Sequence, residues 1–391
     1  MIFNINQFLI SISFVLDFIE IDILDDITNH GKRVGYISLK IGEEFNLSEK
    51  EKFNLLAFAI MHDIGGVEND DKLCKTELEK IKKHCITGEK NIQKFPFTDE
   101  YENVILYHHE NYDGSGFFNK KENEIPLFSQ IIAIADYFEL IYNPNKKRKN
   151  LISTLRNKKN KKFSEDVVNR FLKITKHESF WLNIRDEYIL SAIKSESPKL
   201  SFEYSYKEIR ETTALISDII DSKSEFTKLH SSGLSKKIKV MANFYNFDKD
   251  KKNKLLIAAD LHDLGKLAIS NSILDKPGRL SKEEFRKVKA HSFYTRKALE
   301  PIDCFEEITE WASNHHEKND GSGYPYGLKE KDLDFPSQLM AALDIYQALR
   351  ENRPYREPMS HKKSIKILKN LVKEGKLNSK IVSDIKDLFF C

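Results

Sequence analysis

The sequence is poor in the residues that mark several protein classes. Only 15 glycines and 10 prolines occur among its 391 residues, which argues against fibrous, low-complexity and sandwich-type chains. The four cysteines (Cys74, Cys85, Cys304 and Cys391) show no CxxC spacing and no dense framework. They fit structural thiols in a reducing cytosol better than a disulfide scaffold, so we expect a cytoplasmic globular protein.

An excess of charge of one sign is also missing. The 63 basic residues are balanced by 60 acidic ones, for a net charge of +3, so no global field attracts nucleic acid or an anionic membrane. The apolar stretch over residues 8–19 contains Asp17 and lacks a basic flank, and it predicts neither a signal peptide nor a membrane span. The lysine-rich run over residues 146–162 is interpreted as a solvated helix face and loop. We expect no nucleic-acid partner and no membrane partner.

What the sequence does contain is a repeated histidine pattern. The pair His62-Asp63 recurs as His262-Asp263, at an offset of 200 residues. A histidine also falls 32 residues before each pair, and histidines downstream of each pair keep similar spacings. A repeat this long indicates duplicated domains, because stacked solenoid repeats have periods of about 20 to 50 residues.

Chain length and apolar periodicity complete the predicted organisation. A chain of 391 residues suggests two or three domains, and helix-forming apolar stretches lead into the chemistry-bearing residues. We predict an all-α fold with two helical domains in tandem, over residues 1–165 and 208–391. Residues 166–207 are predicted to form a helical connector.

A buried aspartate in each copy indicates a metal. Asp344 interrupts an apolar run over residues 338–346 that is otherwise typical of a core helix, and Asp136 follows residues 131–135 in the same way. An unpaired buried carboxylate costs several kcal/mol, so a salt bridge or a cation must compensate it. Because each aspartate accompanies a His-Asp pair, a His-His pair and two single histidines, we favour the metal.

The donor types restrict which metal. Histidine and aspartate without cysteine suit iron, manganese or zinc better than calcium, which prefers oxygen ligands alone. Seven donors are too many for one ion, and a carboxylate that bridges two ions is the economical arrangement. Two such ions activate water and clamp a phosphoryl group, so the pattern predicts phosphodiester hydrolysis.

Four strings in the second half carry a family resemblance. They are HDLGK at 262–266, LDKPGRLS at 274–281, HHEKNDGSGYP at 315–325 and RPYR at 353–356. With them the second half resembles the HD-GYP family of bacterial cyclic di-GMP phosphodiesterases, a subgroup of the HD metallohydrolases. The resemblance implies a helical bundle that holds two or three metal ions, often iron, and hydrolyses cyclic di-GMP to linear pGpG or on to GMP.

The resemblance also assigns roles to residues. Asp263 would bridge two metals, with the bound hydroxide as nucleophile, and Lys266 would hold the scissile phosphate, its alternative being a solvated helix-end lysine. Tyr324 would stack on a guanine, with turn packing as the alternative, and Arg353 and Arg356 would contact guanine or phosphate. The implied metal ligands are His230, His262, Asp263, His291, His315, His316 and Asp344.

Two departures from the family pattern concern metal number and packing. Members that bind three metals have glutamate four residues before the first histidine, where this chain has Phe226, so we predict two divalent ions, iron or manganese with zinc as the alternative. Thr295 stands where the family commonly has glycine. We expect this threonine to change packing without removing catalysis.

The first half resembles the same family more distantly. Gly66 stands in place of the phosphate lysine, Phe117-Phe118 replaces Tyr-Pro, and the Lys-Pro-Gly loop is deleted. We expect a unit that binds metal yet is catalytically weak or a pseudo-enzyme, with residual activity on another phosphoester as the alternative. The implied second metal site comprises His30, His62, Asp63, His84, His108, His109 and Asp136.

Three functions compete on the sequence alone. The first is a cyclic di-GMP phosphodiesterase in the second domain. The others are an HD phosphohydrolase acting on another cyclic dinucleotide, such as cyclic GMP-AMP, or on a nucleotide, and a non-catalytic nucleotide-sensing module. A cyclic dinucleotide is the expected partner, and homodimerisation through helices is left open.

Overall fold

A computed structural model describes residues 3–17, 29–67, 76–95, 98, 100–199, 204–224, 230–276, 278–352 and 357–390. Over these residues the regular structure is helical, with isolated bridges in place of a sheet. The prediction of an all-α fold is confirmed. No helix in the described part is long and apolar enough to cross a membrane.

The chain divides into two compact units. The first comprises residues 4–202, and the second comprises residues 203–391 together with 1–3. Residues 166–199 belong to the predicted connector. They pack on the first unit, because helices at 165–174 and 189–196 contact its helix at 30–44. The predicted domain limits themselves stay a prediction, since compactness alone does not define a duplicated unit.

The first unit is built from helices α1 to α9. They are α1 (Ile5–Leu16), α2 (His30–Glu44), α3 (Glu49–Ile60), α4 (Glu77–Ile92), α5 (Leu127–Ile141), α6 (Arg148–Arg156), α7 (Glu165–Ile174), α8 (Glu178–Asn183) and α9 (Ile189–Glu196). Helix α2 packs against α3, α5, α7 and α9 and is the centre of the unit. Helix α3 begins with a capping box of Ser48 and Glu51, and its residues 53–60 are all buried. A core helix thus ends directly before His62-Asp63.

The second unit is built from helices α10 to α18. They are α10 (Tyr206–Ser222), α11 (His230–Phe244), α12 (Lys249–Leu261), α13 (Asn271–Leu274), α14 (Lys282–Leu299), α15 (Glu306–Ser313), α16 (Phe335–Leu349), α17 (His361–Lys373) and α18 (Ser379–Leu388). Helix α12 packs against α10, α11 and α15, and α11 also packs against α16.

Capping fixes where the helices around the second donor set begin. Asp248 accepts a hydrogen bond from a first-turn amide of α12, and Asp334 does the same for α16. Ser281 and Glu284 form the predicted capping box of α14. The buried residues 255–261 of α12 then lead straight into His262, so the His-Asp pair lies at a buried helix end.

Candidate metal centres and active site

The second unit brings all seven predicted donors together. His230 is the first residue of α11, His291 lies within α14, and Asp344 lies within α16. The His-Asp pair ends α12, and the His-His pair follows α15. Three overlapping groups have ligand atoms within 4.8 Å of one another, namely His230, His262 and Asp344; His262, Asp263 and His315; and His291, His315 and His316.

Asp263 lies between the histidines of this set. Its Oδ2 is 3.2 Å from His262 Nε2, while its Oδ1 is 3.5 Å from His291 Nε2. On the other side, His230 Nε2 lies 3.0 Å from Asp344 Oδ1. A carboxylate whose two oxygens face different imidazoles could contact more than one ion.

Hydrogen bonds to the backbone orient the imidazoles. Nδ1 of His262, His291 and His315 lies 2.8, 2.6 and 2.6 Å from the carbonyl oxygen of the residue three positions earlier. An Nδ1–H that donates to a carbonyl leaves the lone pair on Nε2, the atom turned toward the other donors. The residues therefore fit divalent metal ions in tautomer as well as in type.

Burial keeps most of these histidines neutral. It lowers the pKa of His291 to about 4 and that of His316 to about 3, and it holds the pKa of His315 well below its ordinary value. His262 and His230 differ. Burial opposes the charge on His262, but the Asp263 carboxylate outweighs burial and raises the pKa of His262. Burial also opposes the charge on His230, but hydrogen bonds to Asp344 and Glu351 outweigh burial and raise the pKa of His230 to about 9.

Metal binding by the second unit should therefore release a proton near neutral pH. His230 is charged at pH 7 in the metal-free protein and must lose its proton before it can coordinate an ion. We expect the affinity for Mn²⁺ to rise with pH until the pKa of His230 is passed, by up to about tenfold per pH unit. Titration calorimetry in buffers of different ionisation enthalpy measures this proton, and an affinity independent of pH would contradict the assignment.

The first unit assembles its seven predicted donors in the same way. Asp63 Oδ2 lies 3.0 Å from His62 Nε2, and Asp63 Oδ1 lies 3.1 Å from His84 Nε2. Asp136 lies 3.8 Å from His30 and 4.0 Å from His109. Asp63 belongs to both groups whose ligand atoms cluster within 4.8 Å, namely His30, His62 and Asp63, and Asp63, His84, His108 and His109.

His108 adds a separate indication that this first set suits a metal. Its side chain is fully buried, and its Nδ1 lies 2.5 Å from the carbonyl oxygen of Ile105. Among the described residues, its Nε2 has no hydrogen-bond partner. A buried nitrogen without a partner costs free energy unless an ion takes its lone pair.

The two units differ at the residue three positions after the aspartate of the His-Asp pair. Lys266 Nζ lies 2.5 Å from Asp263 Oδ2, and the Asp263 side chain is 3% exposed. Gly66 supplies no cation at the matching place, and the Asp63 side chain is 24% exposed. A cation next to the donors is thus present in the second unit at the position that is glycine in the first.

Among the other predicted substrate residues, the structure describes only Tyr324. Its ring lies 4.8 Å from that of His316 and 6.5 Å from that of His291, measured between centroids. Burial raises the pKa of the Tyr324 hydroxyl, so the phenol stays neutral. Arg353, Arg356 and Phe226 lie outside the described residues.

Sequence reasoning missed the residues that organise the loop around Tyr324. Glu317 accepts hydrogen bonds from the amides of Tyr326 and Leu328, at 2.7 and 3.0 Å. Glu110 does the same for Phe118 and Lys120 in the first unit. The repeat did contain the signal, because glutamate follows the His-His pair in both copies.

The carboxylates that hold the first histidine of each set were also missed. His30 Nδ1 lies 2.6 Å from Glu139, which in turn accepts from Arg33 at 2.8 Å. His230 Nδ1 lies 2.9 Å from Glu351. Glu139 stands three residues after Asp136, whereas Glu351 stands seven residues after its counterpart, so aligning the repeats does not pair them.

Thr295 ties the His-Asp turn to helix α14. Its hydroxyl donates to the carbonyl of His262 at 3.1 Å and accepts from the amide of Gly265 at 2.9 Å. A Cβ on Gly265 would lie 2.0 Å from the carbonyl oxygen of His291, so turn and helix touch through their backbones. Thr295, which is completely buried, holds two ligand-bearing segments together.

Replacing this hydroxyl should weaken the metal centre. Thr295→Val leaves a buried amide and carbonyl unpaired, which costs about 1–3 kcal/mol. We expect a lower unfolding midpoint and weaker Mn²⁺ binding, while Thr295→Ser keeps most of both. The turnover of fully metal-loaded Thr295→Val should stay near that of the parent protein, because the hydroxyl faces the backbone. Equal behaviour of the valine and serine variants would refute this role.

One family of known proteins matches the chain twice, once in each half. The HD domain family model matches residues 19–163 and 214–381. The chain is 29% identical to 3'3'-cGAMP-specific phosphodiesterase 1 of Vibrio cholerae over 395 residues. This alignment covers 97% of this chain and 90% of that protein. A probable cyclic di-GMP phosphodiesterase of V. cholerae is 44% identical over 119 residues, 28% of this chain and 27% of that protein.

A solved structure supports the fold. The crystal structure of a cyclic GMP-AMP specific phosphodiesterase from V. cholerae matches with a TM-score of 0.71 at 22% identity, over 100% of this chain and 98% of that one. At this level of identity the match bears on the fold alone.

Fold and donor sets together define a metal-dependent helical phosphohydrolase with its domain in two copies. The chain belongs to the HD domain family and is homologous over its whole length to phosphodiesterases related to the HD-GYP group. The predicted tandem of HD domains is confirmed.

Proposed function

We propose that the second unit hydrolyses 3'3'-cGAMP, with one phosphodiester bond placed at its donor set. The observation that carries this substrate is the match to a cyclic GMP-AMP specific phosphodiesterase over 97% of the chain. Cyclic di-GMP, the substrate that the family resemblance alone implied, is the second candidate. It is supported by a match of higher identity, 44%, to a probable cyclic di-GMP phosphodiesterase, but that match spans only 28% of this chain.

We further propose that two divalent ions, iron or manganese with zinc as the alternative, bind the seven donors of the second unit. When bound, they would supply an activated water and neutralise charge on the phosphoryl oxygens. Asp263 would face both ions, since its two oxygens already face different histidines. The Nδ1 hydrogen bonds of His262, His291 and His315 place the ring proton on Nδ1, so the lone pair on Nε2 is available to coordinate metal.

The remaining roles belong to residues around the donors. In the metal-free protein the Lys266 ammonium pairs with Asp263, and we propose that it turns to the scissile phosphate when Asp263 coordinates metal. Tyr324, whose ring is tilted by 40° against that of His316, would offer a ring face to a purine base. Arg353 and Arg356 are proposed, from the resemblance alone, to contact base or phosphate.

For the first unit we propose metal binding without efficient turnover. Its donors cluster like those of the second unit. However, Gly66 stands at the position of Lys266, so no side-chain cation is present there to bind a phosphate. The ions held there would stabilise the fold, because ligands and metals that bind the native state shift its unfolding equilibrium.

A competition assay tests the substrate. The Mn²⁺-loaded full chain is given 3'3'-cGAMP and cyclic di-GMP in one reaction, and products are resolved by chromatography. Because both substrates compete for one site, the ratio of the two rates at equal concentrations gives the ratio of kcat/KM. We expect 3'3'-cGAMP to be consumed first. Faster loss of cyclic di-GMP would favour the second candidate.

A further inference from the structure

The second donor set is connected to the surface by aromatic rings. His316, with 27% of its side chain exposed, lies beside Tyr324 at 4.8 Å. Tyr324 lies 6.5 Å from Phe285 of α14, with the two rings nearly perpendicular at 82°. Phe285 itself is 48% exposed. The rings form a continuous series from a metal donor to solvent.

A lysine lies between the two outer rings. Lys289 Nζ is 5.5 Å from the centroid of Phe285 and 5.9 Å from that of Tyr324. No carboxylate within the described ranges lies at ion-pair distance from this ammonium. An ammonium held on aromatic faces without an acidic partner remains available to an anionic ligand.

Helix α14 contains a second phenylalanine followed four residues later by a lysine, outside the ring series that leads to the donors. Phe293 and Lys297 are again four residues apart, with Lys297 Nζ 5.5 Å from the ring centroid. Phe293 is 38% exposed, but its ring lies against that of Tyr294, 6.0 Å away between centroids. Lys297 is already paired with Glu300 at 2.7 Å. The second pair therefore offers a matched control on one helix.

In the first unit a leucine stands at the position of Phe285. Leu78 stands six residues before His84, as Phe285 stands six residues before His291. Lys82, the counterpart of Lys289, lies over the ring of Phe118 at 5.2 Å. The second unit thus has both Phe285 and Lys266, whereas the first unit has Leu78 and Gly66 at the matching positions.

We propose that Phe285 and Lys289 form a nucleotide subsite at the mouth of the second donor set. A purine base stacks on the exposed ring of Phe285, and a phosphate oxygen of the same ligand pairs with the ammonium of Lys289. This subsite rests on the proposed function, because it holds the part of a cyclic dinucleotide that extends away from the scissile bond. It sets affinity and leaves the chemical step to the donors and Lys266.

Binding of a hydrolysis-resistant phosphorothioate analogue of 3'3'-cGAMP to the Mn²⁺-loaded full chain tests the subsite directly. Calorimetry should show about tenfold weaker binding for Phe285→Ala and for Lys289→Ala, the loss expected for one stacked base or one phosphate contact. Lys289→Arg should restore most of the affinity. Phe293→Ala and Lys297→Ala should bind within about twofold of the parent protein.

Turnover of bis(p-nitrophenyl) phosphate, which has no purine, adds a second readout. Phe285→Ala and Lys289→Ala should hydrolyse it at the parental rate, because the metal centre is untouched. An equal loss on this substrate, unchanged analogue binding, or equal effects of the two Phe/Lys pairs would overturn the subsite. Analogue binding that depends on Phe285 and Lys289, without turnover of any cyclic dinucleotide, would support the subsite and refute the proposed reaction.

Discussion

A protein carrying His262→Ala and Asp263→Ala should lose at least about 1,000-fold in the rate of cyclic dinucleotide hydrolysis. Metal-ion catalysis supplies several kcal/mol of transition-state stabilisation, and each 1.36 kcal/mol is about tenfold in rate. Asp263 faces His262 and His291 through different oxygens, so its removal disturbs the donors on both sides. The rate is measured by chromatography at saturating Mn²⁺.

The matched variant is His62→Ala with Asp63→Ala in the first unit. Asp63 holds the same position between His62 and His84, so the damage to a donor set is comparable. We expect this protein to keep at least half of the parental activity while binding less metal. Equal losses from the two double variants would refute the division of labour between the units.

Lys266→Ala should lower kcat/KM about 100- to 1,000-fold and leave metal binding intact. Removing one preorganised charge-stabilising group from an active site costs on this order. Lys266 contacts Asp263 in the metal-free protein, but a cation is no ligand, so its loss should not weaken Mn²⁺ binding. Kinetics and metal content are measured on the same preparations.

Two controls separate charge from packing at this position. Lys266→Arg keeps the charge but presents a planar fork in place of a compact ammonium, so we expect only partial activity. Gly66→Lys adds an ammonium to the first unit, where Phe117 replaces the tyrosine, and should create no new activity. If Lys266→Ala kept parental kinetics, the lysine would be a solvated helix-end residue.

The clustering of the candidate metal donors could be predicted because the donor pattern occurs twice in the sequence. A buried Asp344 in an apolar helix needs a cation, and the repeat showed which histidines accompany it. The structure then brought every one of these residues into its set. What spacing could not give was which oxygen of Asp263 faces which imidazole, since that depends on how α12, α14 and α15 pack.

Supporting residues were harder to predict for physical reasons. Glu139 holds its histidine from within α5, whereas Glu351 holds the equivalent histidine from just beyond the end of α16, so only the packed structure relates them. Thr295 was read as a packing change, whereas its hydroxyl bonds to two backbone groups of the His-Asp turn. That α7 and α9 pack on α2 could not be predicted either, because an amphipathic pattern shows that a face is buried but not against which element.

Turnover of 3'3'-cGAMP by the fully Mn²⁺- or Fe²⁺-loaded chain tests the central claim most directly. The account predicts a linear dinucleotide product that is lost with His262→Ala and Asp263→Ala and retained with His62→Ala and Asp63→Ala. Absence of any turnover of 3'3'-cGAMP and cyclic di-GMP by the metal-loaded protein would contradict it.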